Sequence, residues 1–153
     1  MVLSSPGVTG ARPSNSSDAR TRVASFSRAG STAGAAARLM WDLFEGDLPL
    51  SAPARGRAQA ILSRDPAGPD AADPQYQLSQ YLGGALPEGV ALWSKAGHNL
   101  WTGEAATSWF RHDMIRIAAA GRSALIVVAM TQGRDLAEGG TDLLPQIGRL
   151  AWE

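Results

Sequence analysis

The sequence predicts an α+β fold, an antiparallel sheet flanked by helices, on three observations. Its first well-patterned stretch repeats apolar residues with a helical period, and its second half alternates with the period of two that belongs to strands. The third is that one of those strands, Ala124–Met130, is apolar on both faces. Such a strand lies inside a sheet covered on both sides, so helices are required as cover. At 153 residues, 44% hydrophobic and 18% charged, the chain has the size and composition of one domain with a core.

The elements follow in order. Residues 1–30 are dense in Ser, Gly and Pro and carry Arg12, Arg20, Arg22 and Arg28 against the single acid Asp18. They show no sustained period, so this segment reads as a disordered or linker stretch whose arginines are solvated. It also lacks the basic start and apolar centre of a secretory signal. From Ser31, the residues Ala36, Leu39, Met40, Leu43 and Phe44 recur on one helical face. Ser31 or Thr32 can cap its start, and Gly46 can supply a left-handed end. After Leu48-Pro49-Leu50, Ser51 is an N-cap with Pro53 in the first turn, and Ala54, Ala58, Ile61 and Leu62 form a second helical stripe ending near Arg64. Asp65 to Pro74 holds three prolines and no period, which reads as a surface connection.

Then the period changes. Gly89–Gly97 places Ala91, Trp93 and Lys95 on one face and Val90, Leu92 and Ser94 on the other, a strand. From Ser108 to Ile117, Trp109, Arg111, Asp113, Ile115 and Ile117 share a face, and Gly121-Arg122 can turn this strand into Ala124–Met130 as a hairpin. A closing helix is carried by Leu143, Leu144, Ile147, Leu150 and Ala151, with Pro145 placing its first turn.

Composition excludes several functions. Fourteen basic residues balance fourteen acidic ones, which argues against a nucleic-acid or membrane-surface binder. No apolar run approaches the ~18 residues of a membrane span. With no cysteine there is no disulfide, thiolate zinc site or cysteine nucleophile, and the redox compartment stays open. His98, His112 and Asp113 lack a metal-ligand spacing, so no metal is expected. GSTAG at Gly30–Gly34 is not a nucleophile elbow. Trp93, Trp101 and Trp109 bracket the Lys95 strand, as core filling or as the lining of a cleft.

Lys95 is the only lysine and stands at a strand end before Ala96, Gly97 and His98. On its own this is either a solvent-facing strand end or a point charge beside a glycine that lets a ligand approach the backbone. The run LPEGVALWSKAGH, then RHDMIRI, the turn AGR, the strand SALIVVAMTQG and a terminal helix together resemble the C-terminal part of the penicillin-recognising serine hydrolases, class A β-lactamases especially. The upstream STAGAAARLMWDLFEGDLPLSAPARGRAQAIL resembles the helix pair that precedes the lysine strand in that family, so the likeness runs from Ser31 to Glu153.

The resemblance implies a partial β-lactamase/transpeptidase-like fold over residues 31–153, with no cofactor or metal. It implies Lys95 as the electropositive lysine of the site, Gly97 as the close-approach residue, and the His98 backbone N–H as an oxyanion donor. Ala96 stands where the family carries Thr or Ser, so a hydroxyl for a substrate carboxylate is missing. Arg111 resembles a substrate-anchoring arginine if it points into the cleft, and otherwise pairs with Asp113, two residues along the same face.

The family's nucleophile motif is absent. Leu92 occupies the position three before Lys95, so the chain holds no S-x-x-K, and it holds no S-x-N or upstream deacylating glutamate either. The cluster at Ser14–Asp18 has the wrong order and reads as a turn. The expectation is a fragment inactive alone, belonging to a protein that hydrolyses a β-lactam or another amide or ester through an acyl-serine. Such family members are periplasmic or secreted. The alternative is a non-catalytic ligand-binding or interaction module on the same scaffold. Three strands alone would also leave an edge open to self-association.

Overall fold

A computed structural model describes Val2–Ser4, residues 32–138 and residues 142–153 of the chain. The leading segment, read as linker, falls outside the described residues except for Val2–Ser4. Those three form a strand, β1, that pairs antiparallel with the sheet from Val2 opposite Val127 to Ser4 opposite Leu125. Three residues are too few to announce a strand through periodicity; the exposed edge of an apolar neighbour draws them in.

Helix α1 spans Ala33–Phe44, and the Thr32 side chain accepts the Ala35 N–H at 3.3 Å. Its buried stripe is Gly34, Ala37, Met40 and Leu43, rotated from the expected one, so that Leu39 stands 52% exposed. The helix does not end on a left-handed Gly46. Helix α2, Ala52–Leu62, is capped by Ser51 and closes α1 from outside. Arg55 donates to the carbonyls of Asp42, Leu43, Gly46 and Leu48 at 2.9–3.3 Å, and Gln59 adds a bond to Leu43. One guanidinium thus meets the carbonyls that the last turn of a helix leaves without partners. Helix α2 itself buries no residue, and Ile61 at its end is 73% exposed.

Strand β2, Ser63–Arg64, pairs with β3, Ala91–His98, only at Trp93 and Leu92. Between them the chain runs through a Pro74–Tyr76 turn of 3-10 helix and then buries Leu78, Tyr81 and Leu82. Strands β3 and β4, Phe110–Ala118, pair along their length from Ala91 opposite Ala118 to His98 opposite Arg111. Strand β5, Leu125–Gln132, completes the hairpin, and the sheet order is β1-β5-β4-β3-β2. A short helix α3, Arg134–Ala137, and the closing helix α4, Leu143–Trp152, follow. Helix α4 starts two residues before Pro145, which a first turn accepts because its N–H groups have no helical partner.

The apolar strand β5 sits as its pattern requires. Ile126, Val127 and Val128 are buried in succession. Val127 joins Leu82, Leu92, Ile115, Ile117, Leu144 and Trp152 on the α4 side, and Ile126 and Val128 join Ala37 and Met40 on the α1 side. The sheet is therefore sandwiched between helices, an α+β arrangement.

Gly148 marks how closely α4 approaches the segment before β3. A Cβ there would lie 1.9 Å from the Leu82 carbonyl oxygen. Gly148→Ala is expected to destabilise the fold by about 1–3 kcal/mol, since backbone must move to admit the methyl. Gly56, in α2, has nothing within 4 Å of an added Cβ. Gly56→Ala is expected to stabilise by about 1 kcal/mol through helix propensity. Thermal melts followed by circular dichroism compare the two, and shifts of the same sign would contradict this packing.

Candidate functional site

The site is built on the alternation of β3 and β4. Residues directly opposite in an antiparallel pair share a face. Lys95 lies opposite Met114 and Gly97 opposite His112, so these four face the α1 side; Ala96 lies opposite Asp113 and His98 opposite Arg111, so those four side chains face the α4 side. On the α1 side the sheet floors a cleft of about 370 Å³, whose wall also includes Asn99, Phe110, Val128, Met130 and Ala36 of α1.

Lys95 is exposed on this cleft, and its Nζ donates to the Ala96 carbonyl of its own strand. Gly97 is half-buried and has open space where a Cβ would stand. Nothing in the packing demands glycine there, and what its absent side chain provides is room for an approaching group. The Asn99 N–H bonds the Phe110 carbonyl at 3.0 Å, which fixes the phase of the ladder. Two-residue alternation then turns the backbone groups of Ala96 and His98 away from β4, toward the outer edge of β3. Strand β2 pairs only as far as Trp93, so it does not cover that edge. The His98 imidazole points to the other face, where its Nδ1 is 2.9 Å from the Tyr81 hydroxyl.

Arg111 stands apart from the cleft. The residue is 4% exposed on the α4 side, and its guanidinium donates to the Ala137 carbonyl at 2.9 Å and lies 5.3 Å over the Tyr81 ring. Among the described residues it forms no ion pair with Asp113. The β4 side chain that does enter the cleft wall is His112. It stacks on Phe110 with centroids 5.1 Å apart, and its Nδ1 accepts the Thr131 N–H at 3.1 Å. The sequence places His112 on the face opposite Arg111. Only the register, Gly97 to His112, shows which of the two faces is the lysine's. Trp93 packs against Phe44 and Arg116 outside the cleft, and Trp101 is exposed at the end of the sheet beside Trp109.

Beneath the floor, Asp113 is 2% exposed and accepts from Leu82 N–H and Ser94 Oγ, each at 3.0 Å. Burial pushes its carboxyl up to about 7, against the opposing pull of these hydrogen bonds. His98, His112 and Asp113 do not converge, because the sheet separates His112 from the other two side chains, and no cluster of metal-binding side chains occurs among the described residues.

No family model and no curated protein matches the sequence. Solved structures do match the fold. A β-lactamase from Burkholderia vietnamiensis is 20% identical with a TM-score of 0.56, the alignment taking in 77% of this chain and 37% of that one. A class A β-lactamase from Mycobacterium abscessus is 17% identical with a TM-score of 0.53, over 76% of this chain and 38% of that one. The protein PBP-A is 18% identical with a TM-score of 0.54, over 76% of this chain and 36% of that one. The chain has part of the class A β-lactamase fold. It spans well under half the length of each of these neighbours, in keeping with the C-terminal part of that fold.

Within this β-lactamase-like sheet, Asp113 titrates where it can be followed. Its ordinary value is 3.8 and its folded value is about 7, so between them the folded state holds a proton that the unfolded state has released. Its contribution to stability is therefore full below about pH 4 and is lost as pH rises to about 7. Asp113→Asn keeps an acceptor for Leu82 N–H and a donor for Ser94, and is expected to remove that slope. Urea unfolding of both proteins at pH 5 and pH 8 checks this: the wild-type chain should lose more stability across the interval than the variant.

Proposed function

We propose that this chain is the C-terminal part of a β-lactamase-like serine hydrolase. In the complete protein a serine hydroxyl adds to the carbonyl of a β-lactam or another amide or ester, the leaving group departs with a proton, and water releases the acid from the acyl-serine. The observation that carries this reading is the edge of β3, unpaired beyond Trp93 among the described residues, where Lys95 faces the cleft, Gly97 leaves room, and the backbone N–H of His98 turns outward. In this reading the His98 N–H receives the oxygen that becomes negative in the tetrahedral intermediate. The Lys95 ammonium supplies positive charge beside it, and the outward Ala96 carbonyl aligns the substrate. Arg111, buried against Ala137, is left with a structural role.

The nucleophile lies outside this chain, which contains no S-x-x-K, so the 153 residues alone are inactive. The neighbours' class points to a periplasmic or secreted protein; among the described residues no helix is long and apolar enough to cross a membrane. A second reading, a ligand-binding module without catalysis, is favoured by one observation: Ala96 lacks the hydroxyl that the family's Thr or Ser supplies at this position.

Covalent labelling by a fluorescent penicillin and by an uncharged fluorescent ester, read by mass spectrometry, separates the two. The 153-residue chain is expected to acquire no adduct, and the complete protein to acquire one. Lys95→Ala in the complete protein should slow acylation by about 100-fold or more, the scale of losing one electrostatic contact to the transition state. Unchanged labelling in that variant would remove Lys95 from the reaction, and failure of the complete protein to label would favour the binding module.

A further inference from the structure

The cleft wall carries one formal charge among the described residues. Asp113 also borders the cleft, but its carboxyl lies behind the sheet on Leu82 and Ser94. Arg116, on the same face as His112, is held by Glu45 at 2.7 Å and lies over Phe44 and Trp93. That leaves Lys95, which is exposed to water and leans on its own strand's carbonyl. The remaining wall is largely apolar, with Phe110, Met114 and Met130 prominent.

Two polar side chains interrupt it: Asn99, whose amide is spent on the Thr107 carbonyl and the Phe110 N–H, and His112, whose protonation follows from geometry. A backbone N–H only donates, so the Nδ1 that receives Thr131 N–H carries a lone pair and no proton. While that bond holds, the ring is neutral and its hydrogen sits on Nε2. Nε2 has no partner among the described residues, and the ring forms part of the cleft wall. The cleft therefore offers a neutral N–H donor set in an apolar surround, on the same face of the sheet as the solvated Lys95 ammonium.

These groups distinguish ligands by charge. In the 153-residue chain, where Lys95 stands in water, its ammonium contributes only about 0–1 kcal/mol to an ion pair. A carboxylate would also bring a second charged oxygen against Met114, Met130 and Phe110, and desolvating an unpartnered charge costs more than that. A carbonyl oxygen matches one neutral donor. We infer that the cleft selects an uncharged ester or amide over a carboxylate-bearing ligand, with His112 Nε2–H as the specificity-determining donor to its carbonyl. This rests on the reading of the cleft as a ligand site.

The test compares benzylpenicillin with its methyl ester on the full 153-residue chain, following backbone amide shifts of residues 95–98 by NMR. The ester is expected to bind at least as tightly as the free acid. His112→Phe, which keeps the ring stack and removes the donor, should weaken the ester about fivefold, the scale of one neutral hydrogen bond. His112→Gln, whose side-chain amide can reach the same place, should restore it. Nitrogen-15 shifts of the His112 ring should show the proton on Nε2. Tighter binding of the acid by tenfold, or a proton on Nδ1, overturns this inference and leaves the ligand-site reading standing. Absence of any shift at residues 95–98 with either compound overturns both.

Discussion

The carboxyl of Asp113 is the junction on which the arrangement of the sheet and its cleft depends. It is buried in the middle of β4, and it holds the Leu82 backbone from the segment before β3 and the Ser94 hydroxyl from β3 itself. Ser94 directly precedes Lys95, so the group that anchors β3 from behind is one residue from the group that faces the cleft. A buried polar group left without partners would cost about 1–3 kcal/mol, so the carboxyl, Leu82 N–H and Ser94 must be supplied together or not at all. Tyr81 extends the same layer to His98 and Arg111, and Arg111 reaches α3 through Ala137. The residues behind the floor thus tie the pre-β3 segment, both strands and α3 into one polar seam within the larger core.

That seam explains what the sequence makes legible and what it does not. The apolar run of β5 was enough to demand cover on both faces, because three successive buried residues leave no wet side. Thr32 and Ser51 announced two helix starts, since a cap acts within three residues of itself. Leu39 was misplaced because a stripe of apolar residues on a short alanine-rich helix fixes the buried face only to within about one position, and small residues pack where large ones would not. The closure of α1 by Arg55 lay beyond reach, being a contact between helices with no local pattern. So were β1 and β2, whose three and two residues pair through neighbours already in place. The run from Leu78 to Leu82, silent as a pattern, became core because its Gly83 and the facing Gly148 permit close approach.

The same limit separates Arg111 from His112. Alternation placed Arg111 and Asp113 on one face and His112 on the other, which the structure bears out. What alternation cannot supply is which of those faces belongs to Lys95, for this depends on how the eleven-residue connection from Asn99 to Trp109 sets the register between strands. That connection is closed by its own bonds: Asn99 holds Thr107 and Phe110 through its side chain, and Trp109 adopts a positive φ of 63° while its carbonyl receives Gly133 N–H. A shift of one residue there would exchange the two faces of β4. The cleft would then present a guanidinium and a carboxylate in place of an imidazole and a methionine.

The register therefore decides the chemistry as well as the packing. With it as observed, the charged residues of β4 are enclosed where burial makes each depend on a partner, and among the described residues the cleft keeps the solvated Lys95 ammonium on the same face as the His112 ring. In the proposed reading Lys95 acts at the edge of β3 without competition from the nearby carboxyl groups: Asp113 is turned away, and Glu45 is held by Arg116. Among the described residues nothing pairs with the edge beyond Trp93, because β2 is only two residues long. A longer β2 would bond the outward groups of Ala96 and His98, satisfying the ladder and taking up the backbone donors that the proposed reading gives to a ligand. In the proposed reading the shortness of β2 is thus what leaves β3 able to meet a substrate, as Asp113 is what holds β3 from behind.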